Sequence, residues 1–278
     1  MRPTGEAIPH LLSIAGTDPS GGAGMQADLK TFSALGAYGM SVVTALVAQT
    51  TTGVTAVERV TPGFVIAQID TLFGDVRVDA VKIGMLADAE VAGAVAAALR
   101  RWRPRHVVLD PVMVATSGDR LLDPRAIEVL RHELIPLVDL ITPNVAEAAV
   151  LAGTDPVTSL DAARQQAQIL ATLLRTRVLL KGGHLGGPTS TDVLVGDGPL
   201  RTFPAPRVDT KNTHGTGCTL SSAIAALRPQ AATWSEAVAG AKAYLTGALW
   251  ASAQLDIGHG HGPVHHFWDL WPPPPVTS

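Results

Sequence analysis

Short apolar runs alternate with segments of helical periodicity along most of the chain. The runs have the length of strands and contain few polar positions, which is typical of strands buried on both faces of a parallel sheet. Between the runs, apolar residues recur every three or four positions, as they do on the inner face of a helix. Six runs show the strand pattern: residues 11–15, 42–47, 81–83, 107–109, 140–141 and 178–180.

Polar residues that can cap helices stand at the start of three helical segments. These residues are Asp88, Ser159 and Ser235, and side chains of this kind bind the free N–H groups of a first helical turn. Strands and helices that alternate in this way form right-handed βαβ units. No internal repeat or Pro/Gly/Ser-rich linker divides the chain. The pattern therefore predicts one α/β domain with one parallel sheet covered on both faces.

Composition and charge restrict the class of protein. Hydrophobic residues make up 46% of the 278 residues, and the formal net charge of −3 argues against nucleic acid or an anionic membrane as a partner. The single cysteine cannot form an intrachain disulfide, as expected in a reducing cytoplasm. Since no signal-like or membrane-spanning apolar run is found, we expect a cytoplasmic protein. Its ordered body should cover about residues 10–268, with flexible tails at 1–9 and 272–278.

The residues that follow the predicted strands define a candidate ligand site, because ligands of parallel α/β sheets bind beyond the carboxyl ends of the strands. They supply carboxylates, amides and one lysine, with two apolar exceptions and no basic cluster. Such a mixture suits a small polar substrate together with a metal–phosphate complex. The residues are Gly16, Asp28, Gln49, Met85, Asp110, Val112, Asn144, Glu147 and Lys181.

A glycine motif after the first predicted strand matches a dinucleotide-binding fingerprint only in part. Residues 22–27 read Gly-Ala-Gly-Met-Gln-Ala, but that fold also needs an acidic residue at the end of the second strand to hold the ribose. The second strand pattern ends in Val-Ala-Gln-Thr at residues 47–50, without a carboxylate. The Gly-Lys-Ser/Thr string of a P-loop is also missing from the sequence. Both nucleotide-binding classes are therefore disfavoured.

The only cysteine, Cys218, lies in Thr-His-Gly-Thr-Gly-Cys-Thr at residues 213–219, just before an apolar helical stripe. The pattern places the thiol at a helix N-terminus, where free N–H groups and the helix dipole attract anions. Gly215 and Gly217 permit the close approach of a phosphate. The same field is expected to lower the pKa of the thiol towards the range of a general base. The alternative is a small buried cysteine packed under a turn.

Other residues fit phosphate chemistry but have alternative structural roles. Asn144 and Glu147 stand three positions apart at a helix start and, with Asp110, can hold Mg²⁺ through water. They can equally cap the helix. Lys181 ends an apolar strand and can either neutralise a phosphate or extend its amine from the core to water. Four histidines at residues 259–266 suggest a metal tract or a loop folded over the domain edge.

Four motifs follow one another along the chain: residues 13–28 (Ser-Ile-Ala-Gly-Thr-Asp-Pro-Ser-Gly-Gly-Ala-Gly-Met-Gln-Ala-Asp), 142–147 (Thr-Pro-Asn with Glu147), 181–184 (Lys-Gly-Gly-His) and 212–219 (Asn-Thr-His-Gly-Thr-Gly-Cys-Thr). Together they resemble the hydroxymethylpyrimidine/phosphomethylpyrimidine kinases of thiamine biosynthesis, within the ribokinase-like superfamily. The resemblance runs from about residue 10 to residue 268. It implies a three-layer α/β/α fold with a central mostly parallel sheet, one kinase domain over residues 1–278, and a homodimer.

The resemblance implies phosphoryl transfer from ATP to the hydroxymethyl oxygen of 4-amino-5-hydroxymethyl-2-methylpyrimidine, and a second transfer to the monophosphate. Gln49 is expected to hydrogen-bond the pyrimidine, with Asp28 and Gly16 assisting. Met85 and Val112 are expected to pack against the ring. A pyridoxal or pyridoxine kinase on the same fold is the nearest alternative, and a catalytically silent vitamin-binding protein is a more distant one.

The resemblance also implies a nucleotide side with Mg²⁺ as cofactor. The residues expected near ATP are Asp110, Asn144, Glu147, Lys181, Thr213 and Gly217. Asp110 and Glu147 would hold the metal through water, and Lys181 would be catalytic. The expected anion hole consists of Gly215, Thr216, Gly217 and Cys218, the last standing where sugar kinases of the superfamily carry an aspartate base. Thr116 departs from many relatives, which have lysine there, and threonine cannot supply charge to a phosphate.

Overall fold

The computed structural model describes residues 7–113 and 124–271, which form ten strands and eight α-helices. The strands are β1 (His10–Ala15), β2 (Tyr38–Val43), β3 (Ala45–Thr50), β4 (Gly53–Arg59), β5 (Ala80–Ile83), β6 (Val107–Leu109), β7 (Leu140–Ile141), β8 (Arg177–Leu180), β9 (Thr189–Val195) and β10 (Arg201–Pro206). The helices are α1 (Gly24–Ala34), α2 (Pro62–Asp75), α3 (Ala89–Trp102), α4 (Pro124–Val129), α5 (Val145–Ala152), α6 (Leu160–Leu174), α7 (Thr216–Leu227) and α8 (Trp234–Trp250). Thr116, the predicted tail at residues 272–278 and residues 1–6 of the predicted tail at 1–9 lie outside the described residues.

Eight of the described strands form one sheet in the order β10-β9-β8-β7-β6-β5-β1-β2. The strands from β8 to β2 in that order pair in parallel, whereas β9 and β10 pair antiparallel at one edge. The predicted mostly parallel sheet is therefore confirmed. The other two strands, β3 and β4, form a separate antiparallel hairpin.

Two hydrophobic cores lie on opposite faces of the main sheet. One packs α2, α3, α5 and α6 against the sheet, and the other packs α1, α7 and α8. In β1, Leu12 and Ile14 belong to the first core and Leu11 to the second. Because side chains alternate across a strand, a strand between two cores needs apolar residues at successive positions. This explains the uninterrupted apolar runs and confirms the three-layer arrangement.

The apolar run at residues 42–47 is not one strand, contrary to the prediction. β2 ends before Thr44 and β3 begins after it, outside the main sheet. The Thr44 N–H donates to the Ala15 carbonyl oxygen (3.0 Å), and Thr44 Oγ1 donates to the Met85 carbonyl oxygen (2.7 Å). The residues on both sides are apolar, so hydrophobicity alone does not mark this change of direction. Gln49 consequently lies on the hairpin and not at the end of a main-sheet strand.

Two of the three predicted helix caps are confirmed. Asp88 and Ser159 each accept a hydrogen bond from a first-turn N–H, of α3 and α6 respectively. For α8 the prediction is wrong by two residues: Thr233 accepts from the Glu236 N–H, and Ser235 lies inside the helix. Both residue types cap helices well, so the local pattern could not choose between them.

None of the described helices is long and apolar enough to span a membrane.

A fully buried ion pair joins four elements beneath the carboxyl ends of β1 and β5. Asp28 of α1 and Lys82 of β5 have no exposed side-chain surface, and Lys82 Nζ lies 2.7 and 2.9 Å from the two carboxylate oxygens. Ser13 of β1 and Ser222 of α7 donate to the same carboxylate, each at 2.6 Å. Burial alone lowers the pKa of Lys82, but Asp28 together with Cys218 and Asp110 outweighs burial, and the net shift is upward. The cluster thus fixes α1 and α7 to the sheet.

We expect Asp28→Asn to lower the free energy of unfolding by about 3–5 kcal/mol, because it leaves the Lys82 charge buried without a counter-ion. Urea unfolding followed by circular dichroism measures this change. The double variant Asp28→Asn/Lys82→Met removes both charges and should recover part of the loss. A loss below about 1 kcal/mol in Asp28→Asn would contradict the structural role given to the pair.

Candidate active site

The turn of residues 213–219 lies between two groups of polar side chains. We call Asp110, Glu147 and Lys181 the acidic group, and Asp18, Gln49 and His214 the amide group. Gly217 borders the acidic group, since a Cβ there would lie 3.3 Å from both Asp110 Oδ2 and Lys181 Nζ. His214 belongs both to the turn and to the amide group. One short turn therefore contacts both halves of the candidate site.

Gly215 begins α7 in a conformation that requires glycine. It is the N-cap residue with φ of +76°, and a Cβ there would overlap the carbonyl oxygen of Gly22. The first turn of α7 consists of Thr216, Gly217 and Cys218, and N–H groups at this position have no acceptor within the helix. The predicted helix N-terminus is confirmed, and helix N-termini of this kind can bind anions.

The acidic group shares one partly buried lysine between two carboxylates. Lys181 Nζ lies 2.8 Å from Asp110 Oδ1 and 3.7 Å from Glu147 Oε2. Burial alone would lower the pKa of Lys181, but the two carboxylates raise it above its ordinary value. Burial and the nearby Asp110 raise the pKa of Glu147 in spite of Lys181. Two carboxylates thus share one positive charge, and a further cation close to them would be stabilised.

The carboxylates of the acidic group are better suited to bind a cation through water molecules than to enclose it with direct protein ligands. Among residues 7–113 and 124–271, no three His, Cys, Asp or Glu side chains converge as a metal cluster. Asp110 also accepts hydrogen bonds from Thr142 Oγ1 (3.2 Å) and Ser221 Oγ (3.4 Å) and is only 1% exposed. Mg²⁺ commonly keeps several waters and uses one or two carboxylates plus substrate phosphates, which agrees with this arrangement.

Asn144 caps helix α5, which is the alternative that the sequence left open. Its Oδ1 accepts from the N–H groups of Ala146 and Glu147, both at 2.9 Å, and Glu147 Oε2 accepts from the Asn144 N–H at 2.7 Å. The Asn144 side-chain oxygen is therefore committed to the helix and does not face a metal. Thr213, at the start of the turn, is half-buried.

The Cys218 thiol does not have the lowered pKa that its position in the sequence suggested. Burial, together with the carboxylates of Asp28 and Asp110, raises the pKa of Cys218 to about 11, against the opposing effects of Lys82 and a hydrogen bond from the Gly24 N–H. The prediction failed because the helix terminus lies against a buried acidic environment that the local motif does not reveal. The thiol is protonated at neutral pH.

The amide group joins segments that are distant in sequence. His214 Nε2 lies 2.7 Å from Asp18 Oδ2 and 3.1 Å from Gln49 Nε2. Sequence reasoning gave no role to Asp18 or His214, because the two residues are 196 positions apart and no local pattern pairs them. Lys82 was also missed, although a charge in the middle of the apolar run 81–83 was an available signal.

The glycines of the first loop are used for packing within the protein. A Cβ at Gly22 would lie 2.5 Å from His214 Cδ2. Gly24 has φ of +55°, and a Cβ there would lie 2.6 Å from the Gly16 carbonyl oxygen. The loop thus packs directly against the turn before α7. These close approaches account for the fingerprint-like spacing of the glycines.

The residues predicted to contact the substrate differ in whether a substrate can reach their side chains. Met85 lies over Gly16, where a Cβ would be 2.5 Å from Met85 Cε. Val112 is half-buried and follows Asp110 closely in the chain. Asp28, in contrast, is completely buried with its carboxylate occupied by Lys82, Ser13 and Ser222. This burial contradicts the expectation that Asp28 contacts the substrate, because no surface of the side chain is available.

The histidine-rich segment folds over the hairpin, as one of its two interpretations predicted. The His261 N–H donates to the Thr51 carbonyl oxygen at 3.0 Å, and the Gly260 N–H donates to Thr51 Oγ1 at 3.1 Å. Pro263 forms a bridge with His214 in the turn. The segment therefore contacts both the hairpin that carries Gln49 and the turn before α7.

Comparison with known proteins finds similarity along nearly the whole chain. A family model described as phosphomethylpyrimidine kinase matches residues 18–265. The chain is 56% identical over 262 residues to the hydroxymethylpyrimidine/phosphomethylpyrimidine kinase of Salmonella typhimurium, covering 94% of this chain and 98% of that protein. The phosphomethylpyrimidine kinase structure from Clostridium difficile matches with a TM-score of 0.76 at 42% identity, covering 87% of this chain and 100% of that one. The pyridoxal kinase of Staphylococcus aureus, solved with AMP-PCP and pyridoxal, matches with a TM-score of 0.86 at 30% identity, covering 95% and 96%.

Alkylation by iodoacetamide tests the state of the thiol, because Cys218 is the only cysteine and the signal comes from it alone. We expect slow labelling at about pH 8 and an apparent pKa near 11, since only the thiolate reacts. The urea-unfolded chain is the control and should titrate near its unperturbed value of about 8.5. An apparent pKa at or below about 8.5 in the folded protein would restore the lowered pKa that the sequence suggested.

Proposed function

The chain belongs to the phosphomethylpyrimidine kinase family, and from that membership we propose that it transfers the γ-phosphoryl group of ATP to the hydroxymethyl oxygen of 4-amino-5-hydroxymethyl-2-methylpyrimidine. A second transfer, to the monophosphate, gives the diphosphate used in thiamine biosynthesis. The observation that carries this proposal is the turn of residues 213–219, whose two ends border the amide group and the acidic group. A phosphoryl group held at the turn would lie between an acceptor on one side and a nucleotide on the other.

On the acceptor side, we assign the ring of the substrate to the space bordered by Gln49, Gly16, Met85 and Val112. Gln49 supplies the polar contact, and Met85 and Val112 supply apolar surface against the ring. Asp28 supports this region from below through Ser13 and Lys82 without touching the substrate. The pocket thus combines a few fixed polar groups with apolar walls, as small-molecule sites usually do.

On the nucleotide side, we assign the phosphates of ATP to Lys181, Asn144, Thr213 and the first turn of α7. Magnesium, held through water by Asp110 and Glu147, would neutralise charge across the phosphates. The charged Lys181 lies next to Gly217, so its amine and the backbone N–H groups of the anion hole act on the same region. Phosphoryl transfer depends mainly on positioning and charge stabilisation, and this arrangement provides both.

Cys218 serves the proposed reaction mainly through its backbone. Its N–H belongs to the anion hole with those of Gly215 and Gly217, whereas the Thr216 N–H already donates to the Thr213 carbonyl oxygen at 3.3 Å. The protonated thiol of Cys218 is a poor base at neutral pH. In the second transfer the acceptor is already an ionised phosphate and needs no base. An anion hole built from N–H groups can therefore serve both transfers.

We further propose that the protein is a cytoplasmic homodimer formed by one kinase domain per chain. A single cysteine suits a reducing compartment. Apolar side chains on the β3–β4 hairpin, Leu46 at 54% and Val57 at 43% exposure, support the hairpin as the contact between two copies.

Sedimentation equilibrium tests the dimer. We expect twice the chain mass of 28.9 kDa for the natural protein, and a shift to the monomer in Leu46→Glu, because a charge would be buried in the interface. Leu173→Glu, at an exposed leucine of α6, is the matched control and should remain dimeric. A natural protein that sediments as a monomer at micromolar concentration would refute the proposal.

Steady-state kinetics with Mg-ATP and three acceptors tests the function. We expect kcat/KM for the pyrimidine alcohol and for its monophosphate to exceed that for pyridoxal by more than about tenfold. Pyridoxal is the relevant competitor because it also carries a hydroxymethyl group and because a pyridoxal kinase shares this fold. A preference for pyridoxal by more than about tenfold would replace the proposed substrate with a B6 vitamer.

Two variants test whether the measured turnover comes from this site. Lys181→Met removes the charge beside the anion hole and is expected to lower kcat about 10²–10³-fold in both transfers. Cys218→Ser keeps the backbone N–H and should retain kcat within about tenfold. Equal activity of Lys181→Met and the natural protein would remove Lys181 from the catalytic group.

A further inference from the structure

Asp18, His214 and Gln49 form a chain of polar contacts that links the first loop, the turn before α7 and the hairpin. His214 Nε2 lies between Asp18 Oδ2 at 2.7 Å and the Gln49 amide at 3.1 Å. Asp18 and His214 are only 1% and 6% exposed, whereas Gln49 is half-buried. The buried pair therefore acts on Gln49 with little competition from water.

Asp18 determines where the proton of His214 lies. The carboxylate accepts hydrogen bonds from the Ser20 N–H (2.9 Å), Ser20 Oγ (2.8 Å) and the Ala23 N–H (2.7 Å). Burial alone would raise the pKa of Asp18, but the hydrogen bonds from His214, Ser20 and Ala23 outweigh burial and hold it below its ordinary value. An ionised carboxylate can only accept hydrogen bonds. His214 Nε2 must therefore carry a proton, and this N–H donates a hydrogen bond to Asp18.

This proton decides which end of the Gln49 amide faces His214. The amide oxygen and nitrogen have nearly the same shape, so the hydrogen-bond network determines their placement. With Gln49 Nε2 towards His214, two donors face each other at 3.1 Å. Exchanging the two ends places the carbonyl oxygen there, where it can share the histidine proton. The Gln49 NH₂ group is then turned away from the buried pair.

Gln49 lies on the same side of the hairpin as Val47, which borders Gly16. Along β3, Val47 is buried and Gln49 half-buried, whereas the intervening residue 48 is exposed. Val47 shares the inner face with Gln49 and lies against the pocket wall, since a Cβ at Gly16 would be 3.6 Å from Val47 Cγ2. An NH₂ group turned away from His214 on this face is available to a ligand.

We propose that Asp18 and His214 orient the Gln49 amide so that its NH₂ group donates to an unprotonated ring nitrogen of the acceptor substrate. The proposal rests on the proposed function, because it takes the substrate to be a heteroaromatic alcohol lying against Gln49. Asp18 and His214 are positioning residues that set specificity through Gln49. A ring with C–H or N–H at that place leaves the donor unpaired and is rejected.

Ring-modified substrates test the orientation of Gln49. Two analogues of the aminopyrimidine alcohol are used, each with one ring nitrogen replaced by C–H. In the natural protein, one analogue is expected to lose about 10–100-fold in kcat/KM, because the donor on Gln49 is left unpaired. If neither analogue loses more than about threefold, the donor role of Gln49 is refuted.

Asp18→Asn tests whether the buried pair imposes this orientation. The new side-chain amide can donate to His214 Nε2 and so removes the requirement for a proton there. The discrimination between the substrate and its analogue should then fall to about threefold or less. Asp75→Asn, at an exposed carboxylate of α2, is the matched control and should keep full discrimination. Equal losses on all substrates in Asp18→Asn would indicate a purely structural role and overturn the proposal.

Gln49→Glu provides a second variant in which Asp18 and His214 are unchanged. A carboxylate offers no donor in either orientation, so discrimination against the C–H analogue should disappear in this variant too. The result remains decisive if Asp18→Asn fails to fold. Persistence of the discrimination in Gln49→Glu would assign it to another residue.

Nitrogen-15 NMR of histidine-labelled protein tests the His214 proton without any substrate. The resonances of His214 are assigned by their loss in His214→Asn, and a proton on Nε2 is expected. An unprotonated Nε2 would overturn the proposal. If Nε2 carries the proton but the protein phosphorylates no pyrimidine, the orientation of Gln49 is supported while the proposed function and the substrate part of this proposal both fail.

Discussion

The buried ion pair between Asp28 and Lys82 is the constraint on which the site depends. Such a pair is costly unless every partner is satisfied, and Ser13 and Ser222 complete the hydrogen bonds of the carboxylate. Because Ser222 belongs to α7, the pair fixes the helix whose first turn forms the anion site. Burial raises the pKa of Cys218, Lys82 opposes this effect and Asp28 adds to it. The placement of the helix and the electrostatics of its first turn therefore have a common origin.

The turn before α7 separates two environments with different needs. In the acidic group, two carboxylates share one lysine, so this half favours additional positive charge. In the amide group, the ionised Asp18 already accepts hydrogen bonds from Ser20, Ala23 and His214, so this half favours a polar but uncharged partner. Gly217 lets the turn lie close to the acidic group, since a Cβ at this position would be only 3.3 Å from Asp110 Oδ2 and from Lys181 Nζ. A reaction that transfers a phosphoryl group from a polyanion to the hydroxyl of a neutral ring, and releases the rest of the polyanion, uses both environments.

The sequence predicted most of the architecture because its cause is local. Continuous apolar runs are what two cores on opposite faces require, and helix caps need only one polar side chain. The errors arose where distant segments meet. Thr44 turns the chain through contacts with Ala15 and Met85, and the thiol of Cys218 is governed by charges from other elements. Asp28 was expected at the substrate from the family resemblance, and its buried partner, Lys82, is 54 positions away, so no local pattern revealed the pair.

The histidine-rich segment of residues 259–266 contacts both the β3–β4 hairpin and α7 and so helps to fix the geometry of the site. Burial is the main reason that the pKa of His266 falls to about 3, so this imidazole is neutral, and its Nε2 lies 3.1 Å from Thr219 Oγ1 in α7. A few residues earlier, the same segment holds Thr51 at the tip of the hairpin. The hairpin and the start of α7 are thus fixed to one another through this segment. Since Gln49 lies on the hairpin and His214 at the turn, the segment supports their 3.1 Å contact by binding both elements.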